Sequence, residues 1–173
     1  MILSDRPCKP YLDIEWKREN DATDPFEFML TLIKDIILIF DQRYKTKITE
    51  NDFYISKAHN DKKYSFHLTI TTHDGQFLYK TNRQRQNQPA WDLQQALSEL
   101  RPEIYENKID SAVNSLDCEI RTIYSNKFNE CRVLLPITIN ELKTNKRAKL
   151  VNSKNHFILI ILLPILMIFQ FNL

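Results

Sequence analysis

The sequence predicts an α+β fold in which a mixed or antiparallel sheet packs against helices. Several short segments alternate polar and apolar residues with a period of two, which is typical of strands that bury one face. After the first of these segments, apolar residues recur at three- and four-residue steps, which is typical of an amphipathic helix. A chain of 173 residues is long enough for one domain with a sizeable core.

The elements are predicted in the order β-α-β-β-β-α-β-β-β, and the first helix is the best marked of them. It follows a strand at 10–16, and its start carries an N-cap at Asp24, a proline at the first helical position and an acid at Glu27. Its apolar positions lie on one face: Met29, Ile33, Ile36, Phe40 and Tyr44. These features predict a helix over 25–44.

The rest of the chain alternates strands with turns. The remaining strands are predicted at 52–57, 64–71, 76–80, 108–113, 119–125 and 131–139. Asp74 and Gly75 form a hairpin-type turn. The stretch 81–89, rich in Arg, Gln and Asn, is predicted to be an exposed basic loop, and a second helix follows at about 90–100.

Composition excludes several kinds of site. Gly75 is the only glycine, so neither of the glycine-rich phosphate-binding loops can be present. The three cysteines show no C-x-x-C spacing, which favours reduced thiols in a cytosolic or nuclear compartment. A net charge of +2 is too small to indicate nucleic-acid binding by itself, so any such binding must come from a local patch.

Polar residues stand two apart within three strand-like segments. The residues predicted to face one way together are Asp13 with Glu15, Ser65 with His67, and Arg121 with Ser125 and Lys127, and Asp110 adds a lone carboxylate. Because residues i and i+2 of a strand share a face, one sheet face could carry three carboxylates, an imidazole and two cations. Three clustered carboxylates repel one another unless divalent cations neutralise them, and the cations and the imidazole suit a triphosphate. This combination is the chemistry of nucleotidyl transfer.

In their order, these segments resemble the three signature motifs of the archaeo-eukaryotic primase superfamily. The motifs are D-I-E at 13–15, S-F-H at 65–67, and I-D at 109–110 with a trailing R-x-x-x-S-x-K at 121–127. The D-x-E form of the acidic pair is most similar to the primase-polymerase branch, and the match covers residues 7–137. Each motif alone is common by chance, whereas the ordered set with strand-like flanks is far more specific.

The resemblance implies a primase-like catalytic core with primase or DNA-directed polymerase activity, acting in DNA replication or damage tolerance. Asp13, Glu15 and Asp110 would be catalytic and would bind Mg²⁺ or Mn²⁺. The nucleotide-binding residues would be Ser65, His67, Arg121, Ser125 and Lys127. The implied partners are a DNA template and primer and nucleoside triphosphates, with a replicative helicase as a further candidate.

Each motif also has a plainer interpretation. Alternating polar residues are routine in half-exposed strands, a histidine on a strand is ordinarily just partly buried, and charged residues commonly protect a sheet edge. Relatives usually carry a substantial portion before the first motif, so the core is expected to be truncated at its N-terminus, with loss of activity as one consequence. The alternative function is therefore a degenerate, non-catalytic nucleic-acid-binding fragment. Basic stretches at 80–85 and 143–154 could follow a nucleic-acid backbone, and Tyr64 or Trp91 could stack a base, although core packing is the commoner role.

The chain is predicted to divide into a catalytic domain at 1–140, a basic linker at 141–154 and a hydrophobic segment at 155–173. The apolar run at 157–169 is shorter than the roughly 20 residues that a membrane span needs. Three interpretations stay open: a C-terminal membrane anchor on a cytoplasmic domain, a buried final element, or a non-native end of the reading frame. The expected location is the nucleus or cytoplasm.

Overall fold

An antiparallel sheet of five strands is the frame of the molecule, in the order β4-β1-β3-β2-β5. Its strands are β1 Tyr11–Lys17, β2 Phe53–Lys57, β3 Lys63–Ile70, β4 Ile109–Asp110 and β5 Leu135–Ile137. The computed structural model describes residues 7–21, 23–73, 75, 77–79, 89–110, 121–126 and 132–144, with the backbone alone at 20 and 89–91. The α+β class and the antiparallel sheet confirm the coarse fold prediction.

Strand β1 shows why the sheet has one apolar and one polar face. Leu12, Ile14 and Trp16 are buried, whereas Asp13 and Glu15 between them are partly exposed. The same alternation runs along β3, because successive strand residues point to opposite faces. One sheet face therefore belongs to the core and the other is left for polar side chains.

The apolar face is covered by helices. They are α1 Pro25–Arg43, α2 Pro89–Leu100, α3 Pro102–Tyr105 and α4 Ile139–Lys143. The Asp24 carboxylate accepts hydrogen bonds from the backbone N–H groups of Phe26 and Glu27 at 2.9 Å each, which confirms the predicted N-cap. Trp16 of β1 lies 4.9 Å from the Phe28 ring of α1, measured between centroids, so α1 packs directly on the sheet.

A buried carboxylate ties α1 to the helical segment after α2. Asp35, which is 5% exposed, accepts a hydrogen bond from the Tyr105 hydroxyl at 2.6 Å and another from Arg101 Nε at 2.7 Å. Burial and the neighbouring Asp35 charge raise the pKa of Tyr105 well above its usual range, so the phenol stays a donor. The pair of bonds satisfies a charge that would otherwise be costly to bury.

Several predicted strands differ from the structure. Residues 121–125 form a turn, not a strand, because Tyr124 adopts a left-handed conformation with φ of 65° and its N–H bonds to the Leu134 carbonyl at 2.7 Å. The strand predicted at 131–139 is shorter, because the chain turns into α4 after Thr138. Among residues 77–79, only Tyr79 pairs, in an isolated bridge with Cys8.

The end of the described chain overlaps the predicted domain boundary. Helix α4 runs across residue 140, and Leu142 is fully buried in the core. Within the described ranges, no helix combines the length and the apolar character that a bilayer crossing requires. The linker beyond 144 and the hydrophobic segment at 155–173 lie outside the described residues.

Replacing Asp35 by Ala should destabilise the protein by about 2–3 kcal/mol, because the buried Tyr105 hydroxyl then loses its acceptor. Tyr105→Phe is the matched control, since it removes the hydroxyl but leaves Asp35 bonded to Arg101, and it should cost only about 1 kcal/mol. Urea unfolding followed by circular dichroism measures both. Equal losses from the two variants would show that the carboxylate does not hold these helices together.

Candidate functional site

The register of the sheet brings the predicted acidic residues and the histidine onto one face. Asp13 in the middle of β1 lies directly opposite His67 of β3 on one side and directly opposite Asp110 of β4 on the other. Glu15, two residues along, lies opposite Ser65. Directly opposed residues have Cβ atoms about 4.5–5.5 Å apart, so these side chains are immediate neighbours. All five therefore share the polar face of the sheet.

Asp13 is an unusual carboxylate. Burial, followed by the negative charges of Glu15 and Asp110, raises its pKa to about 6. Its Oδ1 atom is buried and has no hydrogen-bond partner among the described residues. Like charges placed directly across a sheet are destabilising, so packing alone gives no reason for an aspartate here.

His67 faces Asp13 but does not form an ion pair with it at neutral pH. Its Nε2 atom lies 3.7 Å from Asp13 Oδ1, which is longer than a hydrogen bond. Burial, followed by the positive charge of Arg121, lowers the pKa of His67 to about 4. The ring is therefore neutral at pH 7, with one N–H to donate.

A lysine occupies part of the acidic site. Lys63 Nζ contacts Glu15 Oε1 at 2.5 Å, and the two side chains are 23% and 40% exposed. Lys63 stands two residues before Ser65 on the same face of β3. No role was predicted for Lys63, although the alternation of β3 already places it on the same face as Ser65 and His67. It therefore places a positive charge next to Glu15, one of the three carboxylates.

Of the two trailing-motif residues within the described part of the chain, Arg121 is the one whose charge acts on the site. Its positive charge lowers the pKa of both Asp13 and His67, and its Nη1 donates to the Arg132 carbonyl at 3.2 Å. The Ser125 hydroxyl donates instead to the Thr122 carbonyl within its own turn, at 2.6 Å. Lys127 lies outside the described residues.

Ser56, on this face, and Arg132, whose charge acts on His67, had no sequence signal. Ser56 of β2 lies directly opposite His67 on the side away from Asp13 and is 8% exposed. Arg132 is buried, donates from Nη1 to the Ala58 carbonyl at 3.2 Å, and adds a positive charge that lowers the pKa of His67. Only the order of the strands and the turn at 121–125 bring them to the site.

The base-stacking candidates lie elsewhere. Tyr64 packs against the core, with its ring 5.3 Å from that of Trp16 and with the Arg18 guanidinium 4.2 Å above it. The side chain of Trp91 and the basic stretch at 81–88 lie outside the described residues, as do the lysines and arginine beyond residue 144. For Tyr64, packing is the observed role.

Comparison with known proteins places the chain in no family. No family model matches it, and no curated protein is significantly similar to it. Among the described residues, no three His, Cys, Asp or Glu side chains are grouped so that they could hold a metal ion as they stand.

The pKa of Asp13 predicts how stability changes with pH. Its folded value of about 6 exceeds the ordinary 3.8, so the folded state binds more protons than the unfolded state between these values. Ionisation of Asp13 therefore lowers stability as pH rises from about 4 to about 6. His67 acts in the opposite direction over a similar range, since its folded pKa of about 4 lies below 6.5.

Asp13→Asn should remove the loss of stability caused by ionisation of Asp13 and leave the gain of stability that comes from deprotonation of His67. In buffer with a chelator, we expect the variant to be about 2 kcal/mol more stable than the wild type at pH 8 and equal to it near pH 4. Thermal melts across this pH range measure the difference. Asp41→Asn, on the exposed side of α1, is the control and should follow the wild-type curve. No gain at pH 8 would mean that the Asp13 charge is not under strain.

Proposed function

We propose that this chain is a catalytic domain of the primase-polymerase type, which joins nucleoside triphosphates to a 3′-hydroxyl on a DNA template. One observation carries the proposal: Asp13 lies between Asp110 and His67 on adjacent strands, with Glu15 on the same face. The three motifs are separated in the sequence, so nothing but the fold brings them together. Their convergence also supports a primase-like core as the finer description of the α+β fold.

The chemistry of the donor atoms supports Mg²⁺ or Mn²⁺ as the cofactor. Carboxylate oxygens are the ligands that these ions prefer, and Asp13 Oδ1 has no other partner among the described residues. Asp13 and Asp110 would hold the cation, joined by Glu15 once Lys63 has left it. Bound divalent cations would stabilise the attacking 3′-oxygen and the leaving pyrophosphate.

The chain's own residues would bind and orient the triphosphate. Neutral His67 can donate one N–H to a phosphate oxygen without carrying a charge that would oppose a nearby cation. Arg121 can counter phosphate charge through the planar set of donors on its guanidinium group. The buried Ser65 lies two residues before His67, on the same face of β3. These groups lie beside the carboxylates, so a triphosphate bound to them would be close to the cations.

The full chain should extend a labelled primer on a DNA template when Mn²⁺ or Mg²⁺ is present. Asp13→Ala should reduce the rate at least about 1,000-fold, because a lost metal ligand removes several kcal/mol of transition-state stabilisation. Asp41→Ala, exposed on α1, is the charge-matched control and should extend normally. A folded wild-type chain that extends nothing with either ion would overturn the catalytic proposal.

A second candidate is a non-catalytic nucleic-acid-binding module of the same fold. The contact between Lys63 and Glu15 favours it, because a lysine that neutralises a carboxylate reduces the need for a divalent cation. This candidate predicts salt-sensitive DNA binding that neither Mn²⁺ nor Glu15→Ala changes. Calorimetry of a nucleoside triphosphate with and without Mn²⁺ separates the two functions, since only the catalytic one requires metal-dependent nucleotide binding.

A further inference from the structure

A cleft of about 550 Å³ opens beside the candidate site, on the far side of His67 from Asp13. Its floor is the polar face of β2 and β3, with Tyr54, Ser56, His67 and Thr69. Residues of the 121–125 turn and of the segment that leads into α4 also line it. The cleft shares His67 and Arg121 with the candidate site, so a bound molecule could occupy both.

The cleft presents an aromatic ring to solvent. Tyr54 is 65% exposed and lies directly opposite Thr69. This pair is next to the Ser56–His67 pair on the same face of the sheet. Ile123, 53% exposed, adds an apolar surface from the turn. Next to it Tyr124 is 59% exposed and held at a φ of 65°, a left-handed conformation that non-glycine residues seldom adopt. The turn therefore displays apolar side chains outward.

The lining of the cleft includes a cation that can contact a phosphate. Among the described residues that line it, Glu50 and Arg121 are charged, since the low pKa of His67 leaves that ring neutral at pH 7. Lys143 Nζ contacts Glu50 Oε2 at 2.5 Å and offsets its charge. Arg121 therefore supplies the lining with a positive charge that a backbone phosphate can contact. Asn51 and Asn140 add amide groups that can pair with the edges of bases.

We propose that this cleft binds single-stranded DNA, with an unpaired base stacked on Tyr54 and a backbone phosphate near Arg121. The inference rests on the proposed function and identifies where the unpaired strand would lie. A free nucleotide fits less well, because small-ligand sites bury about 70–90% of their ligand and this cleft is bordered by side chains that are more than half exposed. A strand held by stacking and backbone charge needs no such enclosure.

The test measures binding without chemistry. Fluorescence anisotropy of a labelled 15-nucleotide oligo(dT) is followed with the full chain, in a chelator and without nucleotide. Tyr54→Ala should weaken binding about 5- to 150-fold, the range that loss of one base–aromatic stack produces. Tyr54→Phe keeps the ring and should bind as the wild type does, and Leu38→Ala, exposed on α1, should have no effect. Arg121→Gln should weaken binding and reduce its salt dependence by about one ion.

A photocrosslink locates the strand independently of affinity. Oligo(dT) that carries one 4-thiothymidine should crosslink within residues 51–56, 121–125 or 134–140, as mapped by mass spectrometry. Wild-type affinity in a folded Tyr54→Ala variant, or crosslinks confined to other segments, would overturn the inference. Equal affinity for thymidine monophosphate and for oligo(dT) would do so too, since the cleft would then be a free-nucleotide site.

The two proposals fail separately. If primer extension is absent but oligo(dT) binding still depends on Tyr54, the cleft is a single-stranded DNA site and the proposed catalytic function is wrong. If extension proceeds and Tyr54→Ala neither binds nor extends differently from the wild type, the function stands and the cleft assignment falls.

Discussion

The antiparallel register between β1 and β3 is the constraint on which the rest of the structure depends. Residues 11–17 pair without interruption with residues 69–63, and this pairing sets Asp13 against His67. A slip of one residue would turn every side chain of β1 to the opposite face, which would expose Leu12 and Ile14 and bury Asp13. The packing of α1 on the apolar face therefore holds the polar face in register as well.

The polar face lies close to the core, and this places its central carboxylate under electrostatic strain. Asp13 is partly buried and lies beside the like charges of Glu15 and Asp110, which is why its pKa rises to about 6. Two cations that come from different segments, Lys63 and Arg121, offset part of the negative charge of the carboxylates. A face with one strained carboxylate, one neutral imidazole and nearby cations is suited to an ionic ligand, whereas a purely structural face would gain stability from neutral residues.

Much of the fold could be predicted because its signals are local. The period-two alternation of β1 and β3 and the capped, apolar-striped α1 each depend on residues within one segment, and the structure has them nearly where they were predicted. The segment 119–125 carries a similar alternation, yet residues 121–125 turn. Backbone hydrogen bonds between Tyr124 and Leu134, and between Leu134 and Ser125, hold that turn. No local sequence pattern predicts these bonds.

The sequence by itself determined which side chains share a face: Asp13 with Glu15, and Ser65 with His67. That relation follows from the strand backbone alone, whose side chains alternate wherever the strand lies. Only the tertiary structure decided that β4 and β3 flank β1, so that Asp110 and His67 both oppose Asp13. Strand order depends on how distant segments share one core, and it also created the cleft beside His67 that no single motif contains.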